Sequence, residues 1–186
     1  MRNDLAEIFR GGNITPCLAS EERTDFFIDD DHPTQGGRSY IVDYEFADEV
    51  KELLFNVGNP KGKPIHFLAI DRCLIGRAVQ QDRSDFMLFD ETTVSFVEMK
   101  MKTIIEEEGL STRDLRVKAS NQILATNQFF ITRFETAGKK FDYPDIEGII
   151  AVPPSFPKSN PEEKKFREEF LTKNKIELYI QQRKDY

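Results

Sequence analysis

Three residues in the stretch from Ser84 to Lys102, SDFMLFDETTVSFVEMKMK, are of types and at spacings that could do chemistry together: Asp85, Glu98 and Lys100. Two apolar runs flank Asp90, Glu91, Thr92 and Thr93, which carry turn chemistry, so the stretch reads as a β-hairpin. A two-residue loop (Glu91, Thr92) or a four-residue loop (Asp90 to Thr93) gives one register: Phe89 opposite Val94, Met87 opposite Phe96, Asp85 opposite Glu98. Opposed residues place their Cβ atoms about 5 Å apart. Lys100 falls on the same face as Glu98, about 7 Å further along. Two carboxylates held face to face repel unless something cationic joins them. An oxygen-seeking divalent cation, Mg²⁺ or Mn²⁺, would do so, and the lysine could then act on a bound anion.

The elements around these residues must hold them in place. Phe96, Val97, Met99 and Met101 cover both faces of the second strand, which predicts a central strand buried on both sides. Charges at Glu98 and Lys100 are costly there unless paired or functional. Upstream, Tyr40 to Asn56 (at least from Asp43) has helical spacing of Phe46, Val50, Leu53 and Leu54, and Pro64 to Ile75 reads as a strand containing His66. Downstream, Lys102 to Ser111 is a charged connection. Thr112 to about Thr136 is the longest helix, with an apolar stripe of Leu115, Ala119, Ile123, Thr126, Phe130 and Phe134, widened by Phe129. Lys118 and Gln122 lie one turn apart on it, and Arg113, Arg116 and Lys118 give it a basic start suited to phosphate contacts or simply to solubility. Ile146 to Val152 reads as a strand. A helix begins near Ser159-Asn160-Pro161, Ile176 to Ile180 is a last strand, and QQRKDY is a polar tail.

In Asp85 and in Glu98-Met99-Lys100 the chain resembles the PD-(D/E)xK, or restriction-endonuclease-like, nuclease superfamily. Ser84 stands where that motif usually has Pro. The order from residue 43 is helix, strand, strand, strand, helix, strand, then a further helix and strand, and its first six elements are similar to the superfamily core. The resemblance implies an α/β fold with a small mixed central sheet and helices on both faces. It also implies a metal-dependent phosphodiester hydrolase acting on DNA or RNA. Asp85 and Glu98 would bind one or two Mg²⁺ (or Mn²⁺) ions, with the carbonyl of Met99 as a further ligand. Lys100 would orient the attacking water or stabilise charge on the phosphorane-like transition state. The first core helix often lends an acid, for which Glu45, Glu49 and Glu52 are candidates and Glu49 is the choice. The long helix often lends a Lys or Gln to the site edge, here Gln122; some subfamilies carry Tyr four residues beyond that Gln, where this chain has Thr126. One alternative keeps the nuclease fold as an inactive binding or structural subunit, with Glu98 and Lys100 a plain ion pair. Another is an unrelated α/β domain with Asp85 and Glu98 on an exposed edge hairpin.

Size and composition allow this. The 186 residues are 39% hydrophobic and include 16 Phe, enough for one domain with a real core: an N-terminal extension (1–40), the nuclease-like core (43–152), and a C-terminal helix and strand (153–186). No apolar run is long enough for a membrane span, and the start lacks the apolar core of a signal peptide, so a cytoplasmic location is expected. Cys17 and Cys73, far apart in sequence, are expected as reduced thiols, and two histidines are too few for a histidine-based zinc site. Asp29, Asp30, Asp31 and His32 could suggest metal ligands, but the favoured reading is a solvated turn before Pro33. The net charge of −7 argues against a large nucleic-acid-binding surface, though clustering of Lys and Arg matters more than the sum. A homodimer or a partner protein could supply recognition.

Overall fold

The computed structural model describes residues 1–9, 14–30, 36–42, 51–76, 82–102, 111–156 and 161–186. The hairpin forms in the expected register: β6 (Phe86–Phe89) pairs antiparallel with β7 (Thr93–Met99), Met87 opposite Phe96 and Phe89 opposite Val94. Asp90 closes the turn, its Oδ1 accepting from the amides of Thr92 and Thr93 at 2.8 Å each. With β1 (Leu18–Glu21), β5 (Ile65–Ala69), β8 (Asp145–Ala151) and β9 (Glu177–Gln181), the hairpin builds a six-stranded sheet in the order β1-β5-β6-β7-β8-β9. The pairs up to β7 are antiparallel, and β7, β8 and β9 run parallel. β7 lies inside this sheet and is buried from Val94 to Met99, as its two-faced apolar pattern requires.

Parallel neighbours need a crossover, and two helices supply it. Between β7 and β8 runs α2 (Thr112–Thr136), following α1 (Arg2–Ile8); between β8 and β9 runs α3 (Pro161–Asn174). Ser111 caps α2 by accepting the Asp114 amide at 3.1 Å, and the whole expected stripe from Leu115 to Phe134 is buried. α2 sits on the sheet at Gly148 of β8, where a Cβ would come 2.9 Å from Ile123 Cγ2 and 3.1 Å from Leu178 Cδ1. Gly148→Val should therefore destabilise the protein by about 1–3 kcal/mol, checked by urea unfolding.

A second mixed sheet, β10-β4-β2-β3, contains β2 (Asp25–Asp29), β3 (Tyr40–Val42), β4 (Phe55–Gly58) and β10 (Arg183–Asp185). It packs on the first through Phe55 against Phe86, ring centroids 5.8 Å apart. The architecture is mixed α/β with two mixed sheets. The segment before residue 43, expected to be an extension, supplies strands to both sheets.

Several expectations change. Of the helix expected over 40–56, residues 43–50 lie outside the described residues. The ends are strand, with one 3-10 turn at Lys51–Leu53. Phe55 and Val57 alternate inward with 0% exposure, and that period of two overrides the helical spacing. The strand expected over 64–75 stops at Ala69, where the chain turns so that the Ile70 and Asp71 amides donate to the Asp85 carbonyl. The polar tail forms β10, because Lys184 and Tyr186 reach inward to Glu147 (2.7 Å) and Ser95 (3.0 Å). Cys17 and Cys73 are not separate thiols but a disulfide, Cα atoms 5.6 Å apart. Most of the charged connection after Lys102 lies outside the described residues. Among the described residues no helix is long and apolar enough to cross a membrane.

Candidate metal and phosphate site

Asp85 stands just before β6 and is 8% exposed; Glu98, near the end of β7, is 1% exposed. Backbone bonds hold Asp85 on both sides. Its amide donates to the Val97 carbonyl, and its own carbonyl accepts from Ile70 and Asp71 at 2.9 and 3.1 Å. Its Oδ2 accepts the Met99 amide at 2.5 Å, so the Met99 peptide faces Asp85. Lys100 Nζ meets Glu98 Oε1 at 2.5 Å, on the shared face that alternation demands. The exposed edge hairpin of the unrelated-domain alternative is thereby excluded, since the hairpin is central and both carboxylates are buried.

Gln122 also joins the site. From the fourth residue before Thr126 on α2, its Nε2 donates to the Arg83 carbonyl at 3.1 Å, and it lies close enough to Glu98 to stabilise that carboxylate's charge. Arg83 is fixed in turn by an ion pair to Asp71 at 2.5 Å. Ser84, where the nuclease motif has Pro, and Thr126, where some of its subfamilies have Tyr, meet each other: the Ser84 amide donates to Thr126 Oγ1 at 2.6 Å. A Pro at 84 would have no N–H to give. Lys118, one turn before Gln122, is exposed. Glu45 and Glu49 lie outside the described residues, and Glu52 is exposed on its turn. His66 is a half-buried residue of β5 whose ring lies tilted against Phe89, centroids 4.9 Å apart.

Two residues favoured as part of a solvated turn, Asp29 and Asp30, belong here. Asp29, at the end of β2, is buried and pairs with Lys102 Nζ at 2.9 Å. Lys102 also donates to the Asp30 carbonyl at 2.6 Å, and Ser39 Oγ to Asp30 Oδ1 at 2.7 Å. Asp30 is half-buried, and its charge acts on Asp85, Glu98 and Lys100 alike. The available signal was the apolar Phe26-Phe27-Ile28 run, which marks a buried strand ending on these acids. Asp31 and His32 lie outside the described residues.

The electrostatics follow from burial. Desolvation, then the charges of Glu98 and Asp30, hold the Asp85 carboxyl well above the usual carboxylate range, against the pull of the Met99 amide. Desolvation pushes Glu98 up to about 7, although Lys100 and Gln122 oppose it. Burial would lower Lys100, but Glu98 outweighs it and its ammonium is held above its ordinary value.

Two acceptors are left over: Glu98 Oε2 and Gln122 Oε1 are buried with no hydrogen-bond partner among the described residues. Buried oxygens without donors, beside carboxylates that resist ionising, lack positive charge. That deficit fits a hard divalent cation, which takes oxygen ligands and stabilises ionised carboxylates. Asp85 and Glu98 are the groups that could hold it; of Met99 it is the amide, a donor, that faces Asp85. Among the described residues no cluster of three or more His, Cys, Asp or Glu forms. A scan against family models, a search of curated proteins and a search of solved structures each find no match for this chain.

Proposed function

We propose that this chain is a Mg²⁺- or Mn²⁺-dependent phosphodiester hydrolase acting on DNA or RNA, with a restriction-endonuclease-like core. The observation that carries the reading is the pair of buried carboxylates with an orphaned Glu98 Oε2 and a lysine on the same face. The order of β5, β6 and β7 antiparallel, then α2, then β8 parallel to β7, supports the core assignment.

A bound divalent cation would supply Lewis acidity at the phosphate and a water acidified toward neutral pH. The chain's own groups do the rest. Asp85 and Glu98 present oxygens from a rigid sheet, so little reorganisation is needed. Lys100 keeps its proton at all working pH values and holds a positive charge where negative charge builds on the phosphate. Gln122, through its bond to Arg83, fixes the chain leading into Asp85. The Cys17–Cys73 bridge bears on compartment: most cytosols keep such pairs reduced, so a nuclease working in the cytoplasm would carry them as thiols.

The second reading, an inactive nuclease-fold subunit that binds a partner or a second copy, is favoured by Glu98 Oε1 already being taken by Lys100. Lys100→Met separates the two. A screen of single- and double-stranded DNA and RNA with Mg²⁺ or Mn²⁺ should find cleavage that falls about 100- to 1000-fold in Lys100→Met, while calorimetry still shows metal binding. Equal cleavage by parent and variant would remove the mechanism. Absence of both cleavage and metal binding in the parent would favour the subunit reading.

A further inference from the structure

Arg116 lies in the second turn of α2, where a basic helix start would place it in solvent. Instead it is 4% exposed and turned toward α3. Its guanidinium stands 5.7 Å from the Phe156 ring, and its nearest carboxylate, Glu163, is 4.0 Å away, beyond hydrogen-bond length. Nε and Nη2 of Arg116 have no hydrogen-bond acceptor among the described residues. Burial raises the Glu163 carboxyl above its ordinary value, against the pull of Arg116 and of Arg167, which lies 3.9 Å away. Two buried guanidinium nitrogens without acceptors are costly, and the planar fork they form suits two oxygens of one anion.

Arg116 lines a cleft of about 280 Å³ between the two helices, together with Arg113, Glu162, Lys165, Phe166 and Glu169. Arg113 and Lys165 bring positive charge to its exposed mouth. Glu162 and Glu169 set a limit on it, Lys165 lying 3.8 Å from Glu169. Both helices begin beside the cleft, so their N-terminal dipoles add to the basic side chains. α2 and α3 start after β7 and β8 end, which puts the cleft at the same end of the sheet as Glu98 and Lys100.

We propose that the cleft between α2 and α3 binds a phosphate, with Arg116 as its buried anchor and Arg113 and Lys165 at its mouth, and that the phosphate is one in the backbone of the nucleic acid, away from the scissile bond. The last clause rests on the nuclease reading; the phosphate site itself does not.

The test uses the full chain and two probes. Inorganic phosphate should raise the thermal midpoint of the parent and leave that of Arg113→Ala/Lys165→Ala, whose changes are exposed and leave the core intact, unmoved. Glu162→Gln, which removes a negative charge from the wall, should enlarge the shift. With a labelled oligonucleotide in EDTA, the double variant should bind at least about tenfold more weakly at 150 mM salt, with a salt dependence reduced by about two charges. Phosphate shifts equal in parent and double variant, or absent from both, would overturn the phosphate site. Oligonucleotide binding unchanged in the double variant would overturn its assignment to the nucleic-acid backbone. Failure of the nuclease reading shows separately, as a parent that binds phosphate in the cleft but cleaves nothing with either metal.

Discussion

On the proposed reading, Asp85→Asn should cut divalent-cation binding and cleavage sharply and, at pH 8, make the metal-free protein more stable than its parent. The three effects share one cause. The Asp85 carboxyl is buried beside Glu98 and within the field of Asp30, and its pKa is held well above the usual range. The folded protein therefore binds more protons than the unfolded chain, and stability falls as pH rises. Glu98 adds a penalty of the same sign, absent below its ordinary value of 4.5 and complete above about 7. Lys100, raised above 10.5, titrates outside that window. Asparagine keeps an oxygen for the Met99 amide but carries no charge, so the like-charge repulsion disappears while the backbone bond survives. Urea unfolding in EDTA should show the parent losing stability between pH 4.5 and 8 and the variant losing less, with the two converging at the acid end. Calorimetry should show Mg²⁺ or Mn²⁺ affinity falling at least about 100-fold, and cleavage at least about 1000-fold. In the parent, stabilisation by the cation should grow with pH through the same window, because the cation binds ionised carboxylates. A variant less stable than the parent at pH 8 would show that Asp85 is a structural hydrogen-bonding group rather than half of a cation site.

The parts of this site that local periodicity controls were legible in the sequence. Strand alternation placed Glu98 and Lys100 on one face, and the turn residues Asp90 to Thr93 set the register that brings Asp85 opposite Glu98. Helical spacing buried Leu115 through Phe134, while Gln122 at the edge of the site was an expectation of the resemblance. What escaped was non-local. Asp30 reaches the site because β2 pairs with β4, and β4 with a three-residue strand at the end of the chain. Strands that short carry almost no pattern of their own; β10 forms because Lys184 and Tyr186 find Glu147 and Ser95. Arg116 escaped for a related reason: its position on α2 says which side it faces, but not that α3 will cover that side. At position 84 the fold uses an amide that Pro would lack, since the Ser84 N–H is taken up by Thr126.

The Cys17–Cys73 bridge was equally hidden, since a separation of 56 residues gives no local sign of contact. Its removal should produce the largest stability change of any single covalent alteration here. Closing a loop of 56 residues restricts the unfolded chain by about 4 kcal/mol in the chain-entropy account, and measured values for native bridges centre on about 2–4 kcal/mol. The Cys17→Ser/Cys73→Ser variant should melt roughly 5–15 °C below the oxidised parent. A dithiol reductant should bring the parent to the same place and leave the variant unmoved. The bridge also acts on the site. Cys73 lies in the turn whose Ile70 and Asp71 amides hold the Asp85 carbonyl and whose Asp71 anchors Arg83, and Arg38 donates to Cys73 Sγ at 3.2 Å. Loosening that turn frees the backbone on which Asp85 stands. Reduction should therefore weaken divalent-cation binding as well as lower the melting point, whereas Gly148→Val, which disturbs α2 on β8, should lower stability while leaving the Asp85 turn and its cation affinity close to the parent's. Equal cation affinity in the oxidised and reduced parent would show that the turn holds its shape through its hydrogen bonds alone.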